Sequence, residues 1–494
     1  MKVLLISPPF YRILGFYNRY FPFGVTLIGT VVKKAGHKTL VYDADCFTDP
    51  KSIDYSQLPE KYPQYLNSFN DPNHPVWQEV RNTIKKFKPD VIGISAFTTY
   101  AASAFYTAKI CKELFPKVPV ILGGPHATTK SEEVLTICPY IDFVVRGEGE
   151  KTIIELLNYF SKKRIQLKSI LGISYRKNKQ IIHHPNRPRT NNLDEFPLPN
   201  RSILLNEKKY SSEDMGLIMT SRGCPYNCTY CASTKGISYR SIKSVLQEIT
   251  SIKNKYHTTQ FTFKDDSFTV DFNRVKNLCN ELIKRNLNIK WECNTRVNLI
   301  TPELLSTMKK AGCNFIKVGI ESGSAPILKK MNKGISLDQS RKAAIILRNS
   351  KIHWTGYFLM GLIDETIKDI RKTVAFMKEL KPDLALIGVY EPFPGTAMYI
   401  EGIKKGLVKE NMTLNDFFTT NPNDYYKKNP KIQSNIISPK KFKKLENEVK
   451  DIFRQYNLKL NNVISMGLSK ILVYIKDPLD LAHDLDKFFK YYFK

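Results

Sequence analysis

The chain has 494 residues, 42% of them hydrophobic and 25% charged, a balance that excludes a disordered or fibrous protein and a length that calls for two or three hydrophobic cores. A formal net charge of +30 raises nucleic acid or an anionic membrane as partners, but the excess is spread out, with 18 basic and 11 acidic residues in 401–494, which reads as a lysine-rich solvated surface. Nine cysteines do not make a secreted framework here: Cys224, Cys228 and Cys231 fall within eight residues while the other six are scattered, which favours a metal site in a reducing cytosol.

Met1 to Ile6 starts directly on an apolar strand pattern, with no charged leader and long apolar core, so no signal peptide is expected. The longest uncharged stretch, Val91 to Ala108, is broken by Ser, Thr and Tyr into a strand, a loop and a helix start, so no transmembrane helix is expected and the location reads as cytoplasmic.

Over 1–185, apolar runs at Val3–Ile6, Leu40–Tyr42, Val91–Ile94, Val120–Leu122 and Phe143–Val145 alternate with helix-length amphipathic segments. That is the pattern of parallel strands joined by crossover helices, an α/β domain doubly wound in the flavodoxin or Rossmann manner. Ligands of such sheets lie beyond the carboxyl ends of the strands. Those ends carry Ser7-Pro8-Pro9, Asp43, Ser95, Gly123-Gly124-Pro125-His126 and Arg146-Gly147-Glu148-Gly149-Glu150, where small residues let backbone approach a large ligand, although Gly-Gly after a strand also makes an ordinary tight turn.

The succession SPPF, KPDVIGISAFT, VILGGPHAT and DFVVRGEGE resembles the cobalamin-binding domain that precedes many radical S-adenosylmethionine (SAM) cores. The alternative is a flavodoxin-like domain that binds nothing. The resemblance implies cobalamin contacts at Pro8, Ser95, Thr98, Gly123, Gly124, His126, Gly147 and Glu148. Corrinoid domains that ligate cobalt use an Asp-x-His-x-x-Gly loop after the first strand, but SPPFYRILGFYNRY has no His, which matches the radical SAM type. His126 is expected to hydrogen-bond at the strand end rather than to ligate metal.

A Pro- and Asn-rich linker, 186–205, leads into a central domain, 206–400, whose first apolar run, Leu217–Met219, ends at SRGCPYNCTYC. Three thiolates on one loop can hold three irons of a cubane and leave the fourth open, whereas structural zinc prefers four closed ligands, usually as two pairs, and would need His257 or another remote residue here. The cysteine spacing and Tyr230 before the third Cys resemble the radical SAM signature, in which SAM chelates the open iron of a 4Fe-4S cluster. The resemblance makes Cys224, Cys228 and Cys231 the cluster ligands.

Five more strand patterns follow, Gln260–Phe263, Lys290–Glu292, Phe315–Val318, Gly356–Met360 and Leu384–Ile387, each with polar groups at its end, consistent with a partial (β/α)6 barrel active at its carboxyl-terminal face. SAM offers an ammonium, a carboxylate and ribose hydroxyls. Asp265 or Asp266 can accept from the ammonium, Arg296 can pair with the carboxylate, and Glu321 or Ser322 can bind hydroxyls; the alternatives are an ordinary ion pair for Arg296 and helix capping for the aspartates. Ile363 and Asp364 stand where relatives often have Pro and Gly.

The last segment, 401–494, carries no nameable motif. It reads as a small, mainly helical domain, with a helical pattern over Lys440 to Leu460 and an end rich in aromatics and Lys that either closes the substrate channel or lies on a membrane surface. The resemblance implies an enzyme that takes electrons from a flavodoxin- or ferredoxin-type donor, cleaves SAM reductively and uses cobalamin, with methylation of an unactivated carbon of a small molecule or lipid as the leading function. Oxidative cyclisation, ring rearrangement or carbon-carbon coupling is the second reading. A nucleic-acid-binding protein with a structural cluster is the reading from another class. A transfer-RNA methylthiotransferase would bring a further amino-terminal cysteine motif that is missing from this chain.

Overall fold

The computed structural model describes residues 1–16, 21–46, 58–162, 165–428 and 435–458, with three isolated positions beyond. The first domain is built on a sheet of β1 (Lys2–Ser7), β2 (Lys38–Asp43), β3 (Val91–Ser95), β4 (Val120–Gly123) and β5 (Phe143–Val145), parallel in the order β2-β1-β3-β4-β5. The five strands read from the apolar runs are all present. An antiparallel hairpin, β6 (Ile173–Lys177) and β7 (Gln180–His183), extends the sheet beyond β5.

Strand residues alternate between two faces. Val3 and Leu5 join the apolar cluster of α1 (Phe23–Lys34), while Leu4 and Ile6 join that of α2 (Leu58–Asn70), α3 (Pro75–Phe87) and α4 (Ala101–Leu114). Two short helices, α5 (Pro125–Thr129) and α6 (Ser131–Ile137), follow β4, and α7 (Glu150–Phe160) returns to the α1 side.

The linker is packed rather than loose. Arg201 is buried, donates to the carbonyls of Met215 and Leu217 at 3.0 and 2.9 Å, pairs with Glu248 at 3.0 Å and lies over Phe21. Asn192 and Asn200 accept from the backbone N–H two residues on, which turns the linker tightly enough to bury it.

The second domain has six parallel strands in sequential order: β8 (Leu217–Ile218), β11 (Gln260–Phe263), β12 (Lys290–Arg296), β13 (Cys313–Glu321), β14 (His353–Met360) and β15 (Leu384–Val389). A small antiparallel pair, β9 (Ser221–Arg222) with β10 (Ser238–Tyr239), sits between the first two. The crossovers are α8 (Ile242–Tyr256), α9 (Phe272–Lys284), α10 (Pro302–Lys310), α11 (Ala325–Lys330) with α12 (Leu337–Ser350), and α13 (Ile367–Leu380). Phe261, Trp291, Ile316, Trp354 and Phe358 are buried in the shared apolar cluster with these helices. On alternating positions Glu292 takes Lys317 at 2.5 Å and Thr262 at 3.1 Å. This is the expected partial barrel.

The described part of 401–494 makes no core of its own. After α14 (Ala397–Lys404), Val408, Met412, Phe417, Tyr425 and Tyr426, with α15 (Leu414–Thr419), pack into the first domain. The chain then returns, and Phe442, Leu445, Val449 and Phe453 of α16 (Pro439–Asn457) pack on the barrel. In its described part this lysine-rich segment adds its apolar side chains to two existing cores and straps them together. The Asn457 amide accepts from Ala385 N–H and donates to Ala385 C=O, both at 2.8 Å, along the edge of β15. The aromatic- and Lys-rich end lies outside the described residues, and no helix among them is long and apolar enough to cross a membrane.

A candidate cofactor site between two sheets

The cysteine loop begins where β8 ends, and Asp265 fixes that beginning. One carboxylate oxygen accepts from Thr220 N–H at 2.6 Å and Ser221 N–H at 3.1 Å, and the other from the Thr220 hydroxyl at 2.5 Å. Burial raises the carboxyl's pKa and these hydrogen bonds pull it back. Both oxygens are spent on the loop, so Asp265 positions it instead of presenting a free acceptor to a ligand. Its neighbour Asp266 is exposed and accepts only from the Ser233 hydroxyl, at 2.5 Å. Of the two adjacent aspartates, Asp266 is the one open to an ammonium.

The loop is closed by Cys224 N–H on Thr234 C=O at 2.9 Å and tied to the barrel by Thr229, whose N–H donates to Met331 C=O and whose C=O accepts from Met398 N–H, each at 2.9 Å. Cys228 is buried, Cys224 half-buried and Cys231 exposed. Although the residue is exposed as a whole, packing around its sulfur, the two other thiols and Asp266 push the Cys231 thiol up in pKa, while the Ser233 N–H, 3.4 Å from that sulfur, opposes them. Arg296, at the end of β12, lies 3.7 Å over the Tyr226 ring, donates to Lys333 C=O and brings Nη1 to 3.3 Å from Cys228 Sγ. Arg296 is thus engaged with the cysteine loop itself, whereas the sequence leads one to expect it as a donor to the SAM carboxylate.

Glu321 ends β13 with φ of 68°, at a register shift against β14. Its carboxylate pairs with Lys333 Nζ at 2.6 Å, and Tyr230 Oη stands 3.4 Å from the same nitrogen. Gly319 makes room for the pair: a Cβ there would lie 2.7 Å from Lys333 Nζ and 2.5 Å from Glu321 Oε1. Burial first, then the Glu321 carboxylate and the Cys228 thiol, raise the Tyr230 hydroxyl. Ser322 goes the other way. It is buried, 3.1 Å from the Thr373 hydroxyl of α13, and accepts from Ser324 N–H, so it shapes the turn rather than lining the site. Lys333 escaped the sequence reading; its one signal is its place between Asn332 and Gly334, both left-handed.

The donor set suits a cubane. Three thiolates share one loop, two N–H donors reach their sulfurs, and among the described residues no group of three His, Cys, Asp or Glu converges on a single ion. His257 caps the far end of α8.

Facing this loop across the domain boundary are the strand ends of the first sheet. Gly124, with φ of 99°, comes so close to β3 that a Cβ would stand 2.6 Å from Ala96 C=O, while Gly123 and Gly147 have open space where a Cβ would go. Half-exposed Phe97 lies at the end of β3 beside Ser95. Flat, side-chain-poor backbone with an apolar rim is a cradle for a macrocycle. Pro8, just after β1, is buried. Thr98 contacts His126 Nδ1 at 3.3 Å, and the ring turns inward among Phe105, Phe417 and Tyr426, where burial and Lys130 lower its pKa to about 3. Neutral and enclosed, His126 makes the expected hydrogen bond.

Glu148 accepts from Thr190 N–H at 2.8 Å and lies 3.4 Å from Arg222, which also pairs with Glu150.

Two family models match. One described as the B12 binding domain covers 13–157, and one described as the Radical SAM superfamily covers 218–377. A Pyrococcus horikoshii protein named an uncharacterized methyltransferase is 37% identical over 344 residues, 69% of this chain and 74% of that one. An anaerobic magnesium-protoporphyrin IX monomethyl ester cyclase from Rubrivivax gelatinosus is 30% identical over 334 residues, 65% of this chain and only 60% of the cyclase. The solved structure of the radical SAM methyltransferase TsrM from Kitasatospora setae, with cobalamin and a 4Fe-4S cluster bound, is similar in fold, with a TM-score of 0.64 at 18% identity over 83% of this chain and 79% of that one.

Proposed function

This chain belongs to the cobalamin-binding radical SAM enzymes, and from that premise we propose that it methylates an unactivated carbon of a small-molecule substrate held between the cysteine loop and the first sheet. When bound, the cluster, SAM and the corrinoid supply one-electron reduction, carbon-radical chemistry and a transferable methyl group. Cys224, Cys228 and Cys231 hold the cluster, Asp266 accepts from the SAM ammonium, and the Glu321–Lys333 pair offers one acceptor and one donor to the polar parts of SAM. Arg296 keeps Cys228 oriented. Gly123, Gly124 and Gly147 leave room for the corrinoid, and Phe97 bounds it. Closure of the two domains over this space keeps water from reactive carbon. Electrons come from a flavodoxin- or ferredoxin-type donor.

The observation that carries this reading is three cysteines on one short loop, with N–H donors on two of their sulfurs, joined through Arg222 to the glycine-lined strand ends of the first sheet. The Pyrococcus relative's name supports methyl transfer. The cyclase relative supports a second reading, in which the corrinoid handles electrons during oxidative ring closure. Anaerobic reconstitution with iron, sulfide and hydroxocobalamin, followed by analysis of SAM products, separates them. Methyl transfer yields S-adenosylhomocysteine with a methylated product, and cyclisation yields 5'-deoxyadenosine without S-adenosylhomocysteine. Failure to cleave SAM at all would return the chain to a nucleic-acid-binding or structural role.

A further inference from the structure

Arg222 stands two residues before Cys224, in the short β9 strand whose partner β10 closes the cysteine loop. Its side chain leaves that loop and enters the first domain. There the guanidinium pairs with Glu150 and lies 3.4 Å from Glu148, both on the β5–α7 loop that carries Gly147 at the edge of the cradle. Side-chain exposure is 21% for Arg222, 20% for Glu148 and 5% for Glu150, so the three charges are largely withdrawn from water and screened little by salt. The backbone end is held as firmly: Arg222 C=O accepts from Arg189, which also donates to Lys235 C=O at 2.7 Å across the cysteine loop. The Phe196 ring, 5.6 Å from the guanidinium, covers it.

A loop that must settle around a bound corrinoid therefore moves a charge fixed two residues from a cluster ligand. We propose that Arg222 is a positioning residue that couples the two cofactor sites, so that a corrinoid seated against the Gly147 loop and a cluster seated on Cys224, Cys228 and Cys231 each favour binding of the other. The inference rests on the family reading above but adds a link between the sites that the reading does not require. Coupling of this kind is reciprocal, which makes it measurable from either side. Nothing else in the first domain carries two carboxylates to the cysteine loop among the described ion pairs.

The test is a binding cycle on the full chain. Hydroxocobalamin affinity is measured by absorbance in cluster-free and in cluster-reconstituted protein, for the wild type, Arg222→Gln, Arg222→Lys and Glu148→Gln. The wild type is expected to bind cobalamin about 10-fold tighter once the cluster is in place, within the ordinary range of coupling. Arg222→Gln is expected to bring that ratio below about twofold, with Glu148→Gln in between and Arg222→Lys partly rescued because an ammonium cannot span both carboxylates. The electron paramagnetic resonance signal of the reduced cluster should shift on adding cobalamin to the wild type and stay put in Arg222→Gln. Should Arg222→Gln not fold, as judged by circular dichroism, the Glu148→Gln ratio decides. Equal ratios in the wild type and the folded variants, or a wild-type ratio of one, overturn the coupling and leave the family reading intact. A wild type that binds neither cofactor overturns both.

Discussion

The two halves of the site are built on opposite principles. On the barrel side, charged groups are locked in pairs and networks: Asp265 on Thr220 and Ser221, Glu321 on Lys333, Arg296 against Cys228. On the first-sheet side the site is made by what is left out, with glycine backbone at 123, 124 and 147 and exposed Phe97, packed on Tyr100, at the rim. A small charged cofactor is recognised by fixed dipoles and charges, a wide flat one by an uncluttered surface. Damage should follow the same division.

The largest contrast comes from the cluster ligands. Cys228→Ala should reduce bound iron and SAM cleavage to background while cobalamin still binds, about 10-fold more weakly, measured by iron analysis, product chromatography and absorbance. Loss of both cofactors in that variant would break the division.

Next comes the Glu321–Lys333 pair, with side chains 13% and 6% exposed. Lys333→Ala strands a largely enclosed carboxylate and should cost about 3–5 kcal/mol in denaturant unfolding, whereas removing both charges in Glu321→Gln with Lys333→Met should cost far less. Equal losses would show that packing, not charge, governs this corner.

The glycines sharpen the other side. Gly124→Ala forces a Cβ to 2.6 Å from Ala96 C=O at a φ of 99° and should cost about 2 kcal/mol. Gly123→Val enters open space. It should change stability by no more than about 0.5 kcal/mol, yet weaken hydroxocobalamin binding several-fold. Unchanged binding would refute the cradle.

A separate effect is in pH. An unfolded His126 takes a proton near 6.5, but the enclosed ring resists until about 3. Between those values only the unfolded state gains the proton, so stability falls on acidification, at about 1.4 kcal/mol per pH unit. His126→Phe should flatten that slope in urea titrations from pH 7 to pH 4.

Eleven strand runs were visible in the sequence, those of the first sheet because central parallel strands are continuously apolar and those of the barrel from shorter or alternating apolar runs. The β6–β7 hairpin was not. Its strands present a polar face, and its turn, Asn178-Lys179, is left-handed at both residues without the Gly that usually marks such a turn. The site shows the same limit at finer scale. Cysteine spacing singled out the proposed cluster ligands, but nothing in Lys264-Asp265-Asp266 says which aspartate points inward. Similarly, Glu321-Ser322 does not reveal that one side chain meets Lys333 and the other Thr373. Those choices depend on partners from distant strands. Lys333 and Arg222 gain meaning only once the chain has brought Glu321 and the Glu148 loop to them.

Asn457 has a consequence for anyone trimming this protein. By imitating a neighbouring strand at Ala385, its side-chain amide occupies hydrogen-bonding groups that would otherwise invite a second molecule to add itself to the sheet. A version shortened before that residue is expected to self-associate edge to edge, and light scattering on truncations either side of position 457 would reveal it.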